Sequence, residues 1–193
     1  MGTDSVKVIV GISGASGAIY GIRLLERLRS LPQAEIHLVL TRSGEKTLFL
    51  ETGKTAAEVR QFADFWYPDE DIGCRLASGS CRIDAMVIAP CSIHTMSAIA
   101  HGISSNLMVR AADVILKERR KLVLLVRESP FHLGHLKSMT LLAEMGAIIA
   151  PPIPGFYHHP QTVMDLVDHS VSRVLDLIGL PDADVRRWDG RTK

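Results

Sequence analysis

Three cysteines in 193 residues, with no C-x-x-C pair among them, exclude a disulfide framework and a cysteine-built zinc site, and fit a reducing cytoplasm. An excess of one charge is also missing. The 22 Lys plus Arg face 21 Asp plus Glu, a net charge of +1, which argues against nucleic acid or an anionic membrane as the main partner. No apolar run approaches the roughly 20 residues of a membrane span, and the first residues carry no signal-peptide pattern. What remains is a chain with 47% hydrophobic residues, long enough for one well-buried core. The expectation is one soluble, cytoplasmic domain over residues 1–193.

Short apolar runs recur at 6–12, 36–40, 85–89, 122–126 and 147–150. They are rich in β-branched residues and apolar on both faces, as strands of a buried parallel sheet should be. Amphipathic stretches lie between them. In 18–29, Ile19, Ile22, Leu25 and Leu28 share one face while Arg23, Glu26 and Arg29 turn outward, and 107–117, 136–145 and 162–178 behave likewise. This alternation predicts an α/β fold, a doubly wound, mostly parallel Rossmann-like sheet with helices on both faces. The least regular stretch, 52–79, reads as a short helix over 55–65 and then a polar loop able to cover a site.

Ligands in such sheets sit beyond the carboxyl ends of the strands. The first apolar run ends in Gly11-Ile-Ser-Gly-Ala-Ser-Gly17, a glycine-rich turn leading into a helix. That arrangement offers backbone N–H groups and a helix N-terminus to a phosphate. Its G-x-x-G-x-x-G spacing is not the dinucleotide fingerprint, and no Gly-Lys-Ser/Thr follows. The later runs end in Thr41-Arg42-Ser43, Pro90-Cys91-Ser92-Ile93-His94-Thr95 and Arg127-Glu128-Ser129-Pro130, so four loops are expected to meet at one edge.

Arg42 suits the 2′-phosphate of NADP, but none of Tyr20, Tyr67 and Tyr157 has the lysine four residues on that a short-chain reductase needs. A mononucleotide fits better. One phosphate needs one helix N-terminus, hydroxyls and amides supply further donors, and small residues of the third loop line a flat heterocycle such as that of FMN. Arg110, Lys117, Arg127 and Arg173 lie in or beside apolar patterns, and Tyr157 stands in the aromatic, proline-rich 151–160 stretch. If they converge, they make a second anion site for a small phosphate ester, with Arg giving forked donors and Lys a compact charge.

Motifs in order along nearly the whole chain give it a family resemblance. They are Ser13-Gly-Ala-Ser-Gly-Ala18, Ala77-Ser-Gly-Ser80, Ala89-Pro-Cys-Ser92, the run from Asn106 to Arg120 containing Leu-Met-Val-Arg-Ala-Ala-Asp, Arg127-Glu-Ser-Pro130 and Gly155-Phe-Tyr-His-His-Pro-Gln161. Together they resemble the flavin prenyltransferases, the UbiX-like family once described as aromatic acid decarboxylase subunits. The resemblance implies transfer of a dimethylallyl group from dimethylallyl phosphate to reduced FMN, at N5 and then C6, without a metal. The prenylated flavin then serves a UbiD-like decarboxylase. It also implies a homododecamer with active sites at subunit contacts, so that some cations act on a neighbour's ligand.

Carried over by position, the resemblance gives Gly14, Ala15, Ser16, Thr41, Ser92, Ile93, His94, Thr95 and Arg127 to the flavin, the residues from 92 to 95 as a loop wrapping its ring. Lys117, Arg127, Tyr157, Arg173 and Ser78 go to the prenyl phosphate. Ser16, Glu51, Lys117, Glu128 and Arg110 are the expected catalytic groups. Ser16 holds the ring near N5, and either Glu128 or the phosphate takes the proton lost from C6. Three departures from the family pattern stand out: Leu-Leu-Val126 before Arg127, Ile93-His94 in place of Met-Lys, and no tryptophan in Asp69-Glu-Asp-Ile-Gly-Cys74.

Two other readings are set aside on residues. An FMN-dependent cysteine decarboxylase uses His-Asn-x-x-Asp, and Asn106 has no histidine before it. A non-catalytic FMN carrier for a decarboxylase needs no second phosphate site. His132, His135, His158 and His159 lack the carboxylate or thiolate spacing that completes a metal set. Cys91 reads as a small buried thiol beside the cofactor loop, and Trp188 as a residue packed at a subunit surface.

Overall fold

Val8, Val10 and Ile12 turn to one side of the first strand and Ile9 to the other, and all four are fully buried or nearly so. A strand apolar on both faces needs a layer on each side. The computed structural model describes residues 5–181 and residue 190, and supplies both layers. Its strands are β1 (Val6–Ile12), β2 (Ala34–Leu40), β3 (Phe65–Pro68), β4 (Ala85–Cys91), β5 (Lys121–Val126) and β6 (Ile148–Ile149). They form one sheet in the order β3-β2-β1-β4-β5-β6, with every neighbouring pair parallel.

On the Val8 side, α1 (Ala18–Arg29) and α7 (Val163–Ile178) pack Ile22, Leu25, Val171 and Leu175 into one core cluster. On the Ile9 side, α4 (Ile93–Ala100), α5 (Leu107–Lys117) and α6 (Leu133–Glu144) pack Met96, Met108, Ile115 and Leu142 into a second. The remaining helices, α2 (Arg42–Thr52) and α3 (Ala56–Arg60), connect β2 to β3. The strand order reverses between β1 and β4, and the crevice beyond their carboxyl ends is where this architecture binds ligands.

The expected α/β fold is therefore present, with local corrections. Residues 65–68, expected as the end of a helix and the start of a polar loop, form the edge strand β3, and the helix before it spans only Ala56–Arg60. Residues 93–95 are the first turn of α4 rather than part of a loop. The last strand is shorter than 147–150, and α6 begins at Leu133 rather than at 136. No helix among the described residues is long and apolar enough to cross a membrane. Trp188 lies outside the described residues.

Candidate active site

The loops after β1 and β4 are laced together by a buried serine. Ser13 Oγ donates to the Pro90 carbonyl at 2.9 Å and accepts the Ser92 N–H at 2.8 Å. The Arg127 N–H in turn donates to the Cys91 carbonyl at 3.0 Å, drawing the end of β5 to the same edge. Ser13 was quoted in the family motif but not expected among the binding residues. Its signal was a hydroxyl at the mouth of a buried strand.

The glycine turn then corrects the first reading of this site. Gly17 caps α1 with φ +100°, a left-handed conformation that favours glycine. The free N–H groups of α1 do not await a phosphate. Glu51, from the last turn of α2, accepts the N–H groups of Gly17 and Ala18, each at 2.9 Å. A carboxylate of the chain itself thus occupies the positive end of the helix. Burial pushes the Glu51 carboxyl up, but the Ser16 hydroxyl, the two amides and the Arg127 guanidinium outweigh it and hold the group below its ordinary value. Ser16, Glu51 and Arg127, expected from three separate segments, do come together.

The start of α4 lies at the same edge. Ser92 caps it, its Oγ accepting the Thr95 N–H at 3.2 Å and donating to Thr95 Oγ1 at 3.0 Å. Thr95 is buried against this cap, whereas His94 is exposed. The Thr41 hydroxyl caps α2 by accepting the Gly44 N–H at 2.9 Å. Beside it, a Cβ on Gly14 would stand 2.4 Å from Ser43 Cβ, so a side chain there would collide with the first turn of α2. Ser43, exposed next to Gly14 and Ala15, joins the expected binding residues.

The expected phosphate-binding cations do not form one cluster. Lys117 ends α5, ahead of β5, and pairs with Glu118 at 2.5 Å above Gly79. Next to it the Ser78 and Ser80 hydroxyls meet at 2.8 Å, and Arg110 donates to the Ala77 carbonyl at 3.2 Å and to Asp113 at 2.6 Å. Arg127 follows the other end of β5, whose six residues span about 20 Å. One chain therefore keeps Lys117 and Arg127 at opposite edges of its sheet.

Tyr157 and Arg173 belong to another group, joined through His169, which sequence reasoning missed. Tyr157 Oη lies 2.8 Å from His169 Nε2, and His169 precedes Arg173 by one turn of α7. The missed signal was a histidine on the helix face of an expected phosphate-binding arginine. Glu128 accepts the Ser129 N–H at 2.9 Å, and among the described residues no ion pair joins it to Arg127. Cys91 is fully buried, which pushes its thiol up and removes it as a nucleophile. No group of three or more His, Cys, Asp or Glu among the described residues is placed to hold a metal ion.

Comparison with known proteins places this edge in a family. Residues 2–175 match the family model described as Flavoprotein. Over 186 residues the chain is 52% identical to the flavin prenyltransferase UbiX of Escherichia coli (strain K12), covering 95% of this chain and 98% of the relative. It is similar to the solved structure of a dodecameric FMN-dependent Ubix-like decarboxylase from Escherichia coli O157:H7, with TM-score 0.94, 46% identity and coverage of 96% and 100% of the two chains. It is equally similar to the crystal structure of AnUbiX (PadA1) in complex with FMN and dimethylallyl pyrophosphate, with TM-score 0.95, 41% identity and coverage of 97% and 100%.

Proposed function

The chain belongs to the UbiX-like flavin prenyltransferases of the Flavoprotein family, and on that premise we propose a reaction and a division of labour for its residues. It transfers a dimethylallyl group from dimethylallyl phosphate to reduced FMN in the cytoplasm, and a UbiD-like decarboxylase receives the product. The observation that carries this reading is the meeting of Ser16, Glu51 and Arg127 where the strand order reverses, beside the start of α4. A relative crystallised with FMN and dimethylallyl pyrophosphate supports FMN and a phosphorylated dimethylallyl donor.

The donor set fits a flavin mononucleotide. The α4 N-terminus with Ser92, and the hydroxyls of Thr41 and Ser43, suit its phosphate and ribityl chain. Gly14 and Ala15, which are small, the half-buried Ile93 and the exposed His94 are left to border a flat ring. When bound, reduced FMN supplies an electron-rich acceptor whose N5 and C6 take the prenyl group. Glu51 stays ionised at neutral pH and fixes the Ser16 hydroxyl, which orients the acceptor.

Breaking the allylic C–O bond places negative charge on the departing phosphate. Cations already in position stabilise that charge without reorganising, which is the role assigned to Arg127 and Arg173, with Tyr157 as a further donor. No metal enters the scheme, because these side chains supply the positive charge. Lys117 cannot reach Arg127 within its own chain, so its charge acts in the site of a neighbouring copy, with Ser78 and Arg110 beside it. The dodecameric relative supports such an assembly. Glu128 or the released phosphate accepts the proton lost from C6.

The test is a mass spectrum of the flavin after anaerobic incubation with FMN, a reductant and dimethylallyl phosphate. The expected product is FMN carrying one added dimethylallyl unit. Flavin of unchanged mass would reject the assignment.

A further inference from the structure

The aromatic, proline-rich stretch after β6 folds back onto α7 and encloses a histidine. Tyr157 Oη stands 2.8 Å from His169 Nε2. The Tyr157 ring meets the His169 ring edge-on at 5.4 Å, and the His158 ring stacks on its face at 4.3 Å with planes 10° apart. Even a methyl group on Gly155 would come within 3.3 Å of both Tyr157 and His169, so the pair is closely packed. His169 and Arg173, one turn apart on the same helix face, together border a cavity of about 100 Å³. Burial first, then the charges of His158 and Arg173, hold His169 below its ordinary value, so at neutral pH it adds no second cation beside Arg173.

A tyrosine hydroxyl owns a single proton. Tyr157 can give that proton either to His169 or to a ligand, but not to both. A phosphate ester offers acceptor oxygens, so a Tyr157 that binds phosphate must receive a hydrogen bond from the imidazole.

Building on the flavin prenyltransferase reading, we propose that His169 is a positioning residue for the donor phosphate. Its Nε2–H donates to Tyr157 Oη and turns the tyrosine proton toward the phosphate oxygens that Arg173 also holds. His169 itself does not touch the reacting atoms. It selects which partner the tyrosine serves.

Calorimetric titration of the FMN-loaded protein with dimethylallyl phosphate tests this without turnover. His169→Phe should weaken binding by about 3- to 10-fold, the worth of one hydrogen bond. Tyr157→Phe should lose a similar amount, and the double variant no more than either alone. His169→Gln, whose amide N–H can donate from a similar position, should recover most of the loss. FMN affinity should stay at the wild-type value throughout.

Additive losses in the double variant would overturn the assignment, and so would FMN affinity falling in step. If the wild-type protein makes prenylated flavin while His169→Phe binds the ester normally, only this inference falls. If the wild-type protein neither binds the ester nor modifies the flavin, the functional reading falls with it.

Discussion

Glu51 reaches from the last turn of α2 to the start of α1 and accepts the Gly17 N–H at 2.9 Å. The contact makes one carboxylate both a helix cap and a member of the candidate site. It also explains why a turn that reads as a phosphate cradle needs no phosphate to be satisfied.

Glu51→Gln should therefore destabilise the fold in a pH-dependent way. A carboxyl held below its ordinary 4.5 contributes stability that is complete above that value and lost as pH falls through the lower folded-state value. Because the side chain is largely exposed, the expected loss at pH 7 is about 0.3–1 kcal/mol, the scale of an exposed charge at a helix end. Urea unfolding of both proteins at pH 7 and near the acid limit of folding checks it. An equal difference at both pH values would show that the charge is irrelevant.

Arg173→Ala and Lys117→Ala should retain FMN yet lose prenyl transfer. Both cations are assigned to the departing phosphate rather than to FMN, so FMN binding has no reason to change. Removing one charge contact to the departing phosphate should cost roughly 2.7–4 kcal/mol in activation free energy, a rate loss of about 10²–10³-fold. Flavin fluorescence titration and single-turnover rates separate the two effects. Weakened FMN binding in step with the rate would reassign these residues.

Glu128 is offered for proton transfer, with orientation of Arg127 as its alternative role. Its carboxylate accepts the Ser129 N–H, and among the described residues no ion pair joins it to Arg127. Glu128→Gln keeps shape and hydrogen bonding but loses basicity. Formation of the fourth flavin ring should slow by about 10²–10⁴-fold. Ring closure at the wild-type rate in anaerobic single-turnover spectra would leave the phosphate as the base.

Much of this fold was legible because its central strands are apolar on both faces, a pattern that surface strands do not share. The exceptions share a cause. In α2 only Gly44 and Leu48 are buried, so little amphipathic signal marks that helix. In α4 nearly every position is apolar or small, which hides its period. The edge strand β3 is four residues long and mostly exposed. At the site, the family resemblance named Ser16, Glu51 and Arg127 from three separate segments, and the structure sets them side by side. Sequence could not show that a side chain already fills the α1 terminus, nor that a histidine twelve residues away stands behind Tyr157, because both depend on tertiary approach.

The division of the site between copies is the central claim, and mixing two inactive variants tests it most directly. Lys117 precedes β5 and Arg127 follows it, so each would serve a different site of the assembly. Co-assembly of Lys117→Ala with Arg127→Ala chains in equal amounts gives about a quarter of the sites both intact residues if they come from different chains. The account predicts prenyl transfer near that fraction of the wild-type rate. Mixed assemblies as inactive as either parent would mean that Lys117 and Arg127 must belong to one chain, and would contradict it.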